Sequence, residues 1–570
     1  MPTVSWRWQR AVPLAIALTT FAAFAATVWF DFVDFDDPRL VANNTHFRGL
    51  GWAQLQWMAA ATLLGLWMPV TWLTYGLDYV LWGMRPAGYH LSNAVFHAVN
   101  AAVFSLAARR LLARAMPGVP AVPLALGAAF AGLAFGVHPL RAESVAWITE
   151  RRDPVSGLFF LLTLLSYLHM VEAPDRTRRR WRYVALACFA LALGAKAIVM
   201  TLPVILLLLD VYPLRRPLHR GLLVEKAPFF VLTMISAVVT IVAMRTDAEF
   251  TSIAAIPVGT RMLVALHAFG FYASRLLVPL GLSPFHELPL PIGLHDPRFA
   301  ISAGAVLATT AVLVGLRRRC PAALAAWLAY VVLLLPVCGL MQQGAQLVAE
   351  RYSYLSSMPL TLLAAGGLAR AATVAPRVRT LALGGAGLWL VGMGLLTVQQ
   401  CAIWRDSGTL WAHAVDERPT CAVCVNQLGA HYARQGLMAP AVTYLARAVQ
   451  LRPADGLFRS RLGLMRLRAG QVSEGLKDLQ QATRLDPRNA EVSNNLGLGL
   501  ALAGRVADAV SPLERAVQLD PFVPEFRVPL VHAYLALDRR QEAQAHIDAL
   551  RRVNPGLADQ LSAVAPPIDR

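Results

Sequence analysis

Charge is scarce in this chain. Asp, Glu, Lys and Arg make up 15% of its 570 residues, whereas 56% are hydrophobic and the mean hydropathy is +0.50. That balance excludes an ordinary soluble enzyme and fits a protein that crosses a membrane several times. Acid is the rarer sign, with 34 Asp and Glu against 52 Lys and Arg, a net charge of +18. Short cytoplasmic loops that collect Arg and Lys account for the excess. No nucleic-acid motif accompanies it, so no nucleic-acid partner is expected. The six cysteines are also few. Cys188, Cys320 and Cys338 fall in apolar runs and read as inert core residues. Cys421 and Cys424 lie one helical turn apart without a second CxxC, which argues against structural zinc. They read as two free thiols, with a local disulfide outside the cytoplasm as the alternative. Walker, GxSxG, HExxH and dinucleotide fingerprints are missing, which speaks against an ATP-driven pump or a common hydrolase.

What is present is a long series of apolar segments. Candidate spans are 11–30, 90–109, 121–137, 155–171, 182–196, 198–213, 226–244, 300–316, 322–340, 355–372 and 379–398. The first follows Arg7 and Arg10, lacks a small-residue cleavage site, and reads as an uncleaved helix. Basic clusters at 109–114, 176–182, 215–220, 317–319 and 370–379 orient the rest. They alternate correctly if the stretch 263–280, with His267, Arg275 and Pro279, does not cross. The N-terminus is then cytoplasmic. Four pieces face the other side: 31–89, 138–153, 245–299 (including PFHELP) and 342–355. The expected membrane domain covers 1–400.

The C-terminal part is periodic. Pro419, Pro453, Pro487, Pro521 and Pro555 recur every 34 residues, as do Gly436, Gly470 and Gly504. Ala414, Ala448, Ala482 and Ala516 keep the same step. This is the tetratricopeptide pattern of paired antiparallel helices, with small residues where they cross. Units are expected at 420–453, 454–487, 488–521 and 522–555, within a domain covering 404–570. The fold class is therefore all-α: a polytopic helical domain of about 11 spans followed by an α-solenoid. Such a solenoid holds a protein or peptide in its groove, or serves as a spacer.

Several polar groups gather at the expected extracytoplasmic loops. Asp31, Asp34, Asp36 and Asp37 crowd the exit of the first span. They read as a solvated turn, or as a carboxylate base or metal holder. In the second loop His138, Arg141, Glu143, Glu150, Arg151, Arg152 and Asp153 stand together. A helix over 140–152 would put Glu143, Trp147 and Glu150 on one face, with arginines free for a phosphate. Internal Glu–Arg pairs are the plainer reading. Lys196 either snorkels to headgroups or pairs with a lipid phosphate. Glu350, Arg351 and Tyr352 stand at the mouth of the next span. His90, His97, Asn93 and Asn100 read as interhelical hydrogen-bonding positions.

The order FDFVDFDDPRLVANN, RPAGYHLSNAVFHAVNA, HPLRAESVAWITERRD, LGAKAIVMTLPVILLLLDVYPLRR, AERYSYL and then repeats is similar to a known family. It resembles bacterial relatives of the transmembrane-and-TPR O-mannosyltransferases, polytopic glycosyltransferases of the GT-C superfamily. The resemblance implies a bacterial plasma-membrane location, and the 11 crossings expected from the basic clusters put the repeats outside the cytoplasm. It implies a polyprenyl-phosphate sugar as donor and a protein hydroxyl as acceptor. Asp36 and Asp37 match the family's acidic motif, as catalytic residues or ligands of a divalent metal. No other cofactor is expected. His138, Arg141, Glu143, Glu150, Arg151, Arg152 and Asp153, with Lys196, Glu350, Arg351 and Tyr352, match donor-binding positions. Arg141 stands where relatives often carry His, and Arg152 where they often carry Lys, so positive charge is kept or added. A non-catalytic repeat scaffold for envelope assembly remains the alternative, and a lipid flippase is disfavoured because the span centres lack charge.

Overall fold

The computed structural model describes residues 6–217, 219–245, 256–289, 291–341, 345–521 and 523–564. The side chains of Arg7 and Arg10, residues 246–255 and 290 of the third expected loop, and residues 342–344 of the fourth lie outside them. The chain folds as two compact units, Met1–Leu410 and Trp411–Arg570.

In the first unit α1 (Trp6–Phe24) runs into a 3₁₀ turn, Ala25–Trp29. The first loop then contributes α2 (Trp52–Ala60) and α3 (Pro69–Trp82). After these come α4 (Pro86–Ala115), α5 (Ala121–Gly136), the short α6 (Ala142–Ala146), α7 (Arg152–Glu172), α8 (Asp175–Ala195), α9 (Leu202–Val211) and α10 (Arg220–Arg245). The remainder is α11 (Val258–Leu277), α12 (Pro297–Gly315), α13 (Pro321–Leu334), α14 (Ser353–Ala371) and α15 (Pro376–Ala402). A two-stranded antiparallel ribbon, β1 (His286–Glu287) with β2 (Gln346–Val348), closes one end. A helix stands at each of the expected spans. Among the described residues six are long and apolar enough to cross a membrane, seven if the bent pair Ala121–Gly136 and Pro139–Ala146 counts as one. The protein is a multi-pass membrane protein.

The apolar faces explain the arrangement. On α15, Leu381, Leu388 and Leu395 recur every two turns and are 76%, 76% and 63% exposed, a stripe suited to lipid. Its other side packs inward, where Thr397 Oγ1 donates to the Val137 carbonyl at 2.7 Å. Small residues bring the inner helices close. A Cβ on Gly136 would lie 2.2 Å from Thr20 Oγ1 of α1, so only glycine lets these backbones meet. Cys338 is buried as expected and Cys188 half-buried, but Cys320 is exposed because it precedes α13 rather than lying inside it.

Helix direction sorts the polar residues to two ends. The end of α1, start of α4, end of α5, start of α7, end of α8, start of α14 and end of α15 meet at one end, joined by bonds described below. At the other end Arg114 Nη2 of α4 reaches Glu172 of α7 at 2.8 Å, and Arg216, Asp210, Glu225 and Lys226 form a closed ionic group.

The second unit begins within α16 (Ser407–Glu417). Four helix pairs follow: α17 (Ala422–Arg434) with α18 (Met438–Leu451), α19 (Gly456–Arg468) with α20 (Val472–Leu485), α21 (Ala490–Leu502) with α22 (Val506–Leu519), and α23 (Arg527–Ala536) with α24 (Arg540–Val553). The last helix is α25 (Pro555–Val564). Gly436, Gly470 and Gly504 turn the first three pairs at φ of +76°, +84° and +78°, which the missing Cβ permits, and Asp538 turns the fourth at +58°. Ala414, Ala448, Ala482 and Ala516 are fully buried at the crossings. Asp455 and Asn489 cap successive units by accepting from Phe458 N (3.0 Å) and Val492 N (3.2 Å). Cys421 occupies the same place in the first unit and, contrary to two free thiols, is disulfide-bonded to Cys424. The reason is geometric: the cap position and the first-turn core position face each other, with Cα atoms 5.3 Å apart.

A Cβ on Gly497 would lie 2.4 Å from Leu513 Cγ. Gly497→Ala is expected to destabilise the repeat unit by about 1–3 kcal/mol, read as a lower unfolding midpoint in a urea titration.

Candidate active site

The acidic segment is tied down at several points. Phe30 to Asp37 follows the 3₁₀ turn that ends the first span. The Asp31 N–H donates to the Arg405 carbonyl (3.0 Å) and the Asp34 N–H to Ser407 Oγ (2.8 Å), so the segment after α15 holds this strip. His90 Nε2 of α4 meets the Asp31 carbonyl at 3.4 Å. The Asp37 carboxylate is 1% exposed. Its Oδ2 accepts from Val33 N (2.9 Å), and its Oδ1 from Thr149 N (3.1 Å) and Thr149 Oγ1 (2.5 Å). It thus bolts the first loop to the second. Burial pushes its pKa up to about 7, against the lowering effect of those bonds. Asp36 is half-buried and lies within electrostatic reach of Arg152.

The second loop is not one helix over 140–152. It breaks at Trp147, whose backbone is extended (φ −85°, ψ 118°) between α6 and a 3₁₀ turn. Two effects stabilise the break. Asn93 Nδ2 donates to the carbonyls of Val145 (3.2 Å) and Trp147 (3.3 Å). The indole stacks between Phe35 (4.6 Å between centroids) and Trp404 (5.5 Å).

Charged side chains from three places in the sequence then meet. Arg351 donates through its backbone N–H to Glu143 (2.8 Å), pairs its guanidinium with Glu143, and lies 3.2 Å from Glu150 through Nε. Arg152 forms a bidentate pair with Glu150. Lys196, at the end of α8, pairs with Glu150 (2.9 Å) and Asp153 (2.7 Å). Tyr352 flanks Arg351, whose guanidinium carbon is 4.9 Å from its ring centroid. Glu350 accepts from His286 Nε2 (2.5 Å) and Ser283 N (3.1 Å). Burial alone would raise its pKa, but the neighbouring imidazole and these bonds hold it below the usual range. Depth has an order here. The side chains of Glu143, Glu150 and Asp153 are 2%, 0% and 3% exposed, those of Arg351, Arg152 and Lys196 9%, 9% and 12%. The acids lie beneath and the cations face outward.

Three expected residues are not in this cluster. Arg151 is turned into the first loop, where it pairs with Asp78 (2.5 Å), Asn93 Oδ1 (2.7 Å) and the Tyr89 carbonyl (2.6 Å). Its neighbours on either side pair with each other in the cluster, while Arg151 closes the 3₁₀ turn and Arg152 opens α7. His138 caps the turn before α6, accepting from Leu140 N, and meets the Leu276 carbonyl of α11. Arg141 is fully buried, donates to Ser353 and Ser357 of α14 (3.1 Å each), and lies over the Phe135 and Tyr354 rings. His97 bridges Tyr354 Oη (2.9 Å) and the Gly136 carbonyl (3.0 Å), and Asn100 donates to Pro154 O and Tyr354 Oη, which matches an interhelical role. Sequence reading passed over Asp78 and His286, although His286 lies in the PFHELP run of the third loop.

Among the described residues no group of three or more His, Cys, Asp and Glu could hold a metal ion. The Asp36–Asp37 pair does not fit one, because three protein donors already enclose the Asp37 carboxylate.

Comparison with known proteins places these features. A tetratricopeptide repeat model matches residues 460–524. The chain is 38% identical over 109 residues to the Drosophila melanogaster protein O-mannosyl-transferase Tmtc1, covering 19% of this chain and 12% of that one. It is 29% identical to human protein O-mannosyl-transferase TMTC2 over 30% of this chain and 19% of the relative, and 31% identical to human TMTC4 over 28% and 23%. The matches thus span less than a quarter of these relatives' length. A solved tetratricopeptide repeat protein from Thermus thermophilus, TTC0263, aligns with 24% identity and a TM-score of 0.26, covering 32% of this chain and 93% of its own.

One pH effect follows from the Asp37 tie. An unfolded aspartate titrates near about 3.9, and in the fold Asp37 titrates at about 7. Between those values the native chain holds a proton that the unfolded chain has lost, so stability falls as pH rises through this window. Thermal unfolding of the purified protein is expected to show that fall, and Asp37→Asn to flatten it. Over part of its length the chain is similar to the TMTC protein O-mannosyl-transferases, and its second unit carries tetratricopeptide repeats.

Proposed function

We propose that the protein is a membrane glycosyltransferase. It moves a sugar from a polyprenyl-phosphate donor to hydroxyl groups of an extracytoplasmic polypeptide, and its repeats hold that polypeptide or a partner. The observation that carries this reading is the outward layer of Arg152, Lys196 and Arg351, held from below by Glu143, Glu150 and Asp153. Cations fixed in this way receive a phosphate without first having to be ordered. Similarity to the TMTC transferases supports it.

Asp36 acts as the base. It stands beside Arg152 and is less enclosed than Asp37, which serves as the tie between loops. As the acceptor oxygen bonds to the anomeric carbon, Asp36 takes its proton. The bond from that carbon to the phosphate oxygen breaks, and its electron pair stays on the lipid phosphate. Arg152, Lys196 and Arg351 stabilise that charge.

Orientation belongs to the same proposal. The basic clusters at 109–114, 176–182 and 215–220 lie at the ends of helices opposite the site, so the positive-inside rule puts the site outside the cytoplasm. The Cys421–Cys424 disulfide supports the same side for the repeats. A cysteine replacing exposed Arg505 is expected to react with an impermeant maleimide on intact cells; protection there reverses the orientation.

The activity test uses purified protein in lipid, a polyprenyl-phosphate sugar and a Ser/Thr-rich peptide. Wild type is expected to glycosylate the peptide, and Asp36→Asn to lose about 10²–10⁴-fold in rate with an unchanged unfolding midpoint. Absence of transfer by wild type across several donor sugars would sink the catalytic reading, and full activity in Asp36→Asn would remove Asp36 as base.

A further inference from the structure

Charge in the repeats is divided between two sets of helices. The first helices of the four pairs, α17, α19, α21 and α23, carry Arg434, Arg459, Arg461, Arg466, Arg468 and Arg527 against one acid, Glu491. The second helices mix both signs almost evenly. Arg459 and Arg466 are held by Asp478 of α20, at 3.1 and 2.5 Å, inside their own pair. Arg434, Arg461 and Arg468 line a hollow of about 220 Å³ between α17, α19 and α21.

The geometry of that hollow is specific. Arg434 and Arg468 are exposed and 34 residues apart, so they hold the same place in successive units. Between them the lining is aliphatic, with Ala430, Leu464 and Met465. Arg461 is held in place by Glu491 (2.7 and 3.1 Å) and Gln427 (3.2 Å). Glu491 is the one acid in the lining, and it repels a carboxylate set directly above it. Acids on a ligand therefore fall to either side, at Arg434 and Arg468. Among the described residues no aromatic ring lines the hollow to stack a base, which disfavours nucleic acid.

We propose that this groove binds an extended, acidic segment of polypeptide. Carboxylates meet Arg434 and Arg468, and an aliphatic side chain between them enters the hollow. The inference rests on the reading of the repeats as a polypeptide-binding module and is independent of the transfer reaction.

The test is a binding measurement on the full chain in detergent, with no donor sugar present. A short labelled peptide with glutamates flanking leucine is compared, by fluorescence anisotropy, with its lysine counterpart and with a single-stranded RNA oligomer. The acidic peptide is expected to bind, more weakly at high salt, while the lysine peptide and RNA do not. Arg468→Glu and Arg434→Glu should each lower affinity by about tenfold or more, the factor that ~1.4 kcal/mol represents. Arg540→Glu, on the second helix of the last pair, should leave it unchanged, and helical content by circular dichroism should be equal in all three. Equal binding of acidic and basic peptides, tight binding of RNA, or insensitivity to both groove substitutions would overturn the proposal. Because no turnover is read, failure here is distinct from failure of the transfer assay.

Discussion

Glu150 is the acid around which the membrane unit closes. Its side chain is fully buried, and it touches cations from three separate elements: Arg152 beside it, Lys196 at the end of α8, and Arg351 before α14. A carboxylate in that position is costly unless its neighbours repay the lost hydration. Two of these cations reach a further acid or polar group, Asp153 for Lys196 and Glu143 with Gln346 for Arg351. The network is therefore held together as a unit. Removing one member of such a buried set typically costs roughly 3–5 kcal/mol. The helix ends that meet here are fixed by electrostatics as much as by apolar packing.

Around this centre the aromatic residues do a second job. The stack of Phe35, Trp147 and Trp404 joins the first loop, the second loop and the segment after α15. Arg351 lies 5.5 Å from the Trp147 ring centroid, so the stack also covers one side of the charge network. Water is excluded from the acids beneath, while the cations keep a narrow exposed face. A polar centre thus sits under an apolar cover, and that arrangement agrees with the phosphate-ester donor proposed above.

Much of this was legible in the sequence. The 34-residue period located the helix pairs, because the first three units bury the same small residue and turn on the same glycine. The apolar runs located the helices of the membrane unit, because lipid demands internally bonded backbone, although only six or seven of them are long and apolar enough to cross among the described residues. Glu143, Glu150, Arg152, Asp153, Lys196, Glu350 and Arg351 were recognisable as charges in the wrong solvent. Their pairing was not, because Arg351 lies 208 residues from Glu143 and nothing local encodes that distance. Helical spacing also misled at Trp147, where Asn93 and two aromatic partners outweigh local propensity. Arg151 shows the same limit: adjacent arginines in one motif serve opposite directions once a 3₁₀ turn separates them. Cys421 and Cys424 looked like free thiols until the cap position brought them face to face.

The bonds from Asp31 to Arg405 and from Asp34 to Ser407 link the start of the membrane unit to its end. Residues separated by more than 370 positions complete a single strip of backbone. During synthesis the acidic strip emerges first, and its last supports emerge only after every span has been made. These supports are therefore added late, and a truncated nascent chain carries the acidic strip without the bonds that hold it. Quality control of this protein is built into its connectivity: only a chain made past the end of α15 has this strip held in place.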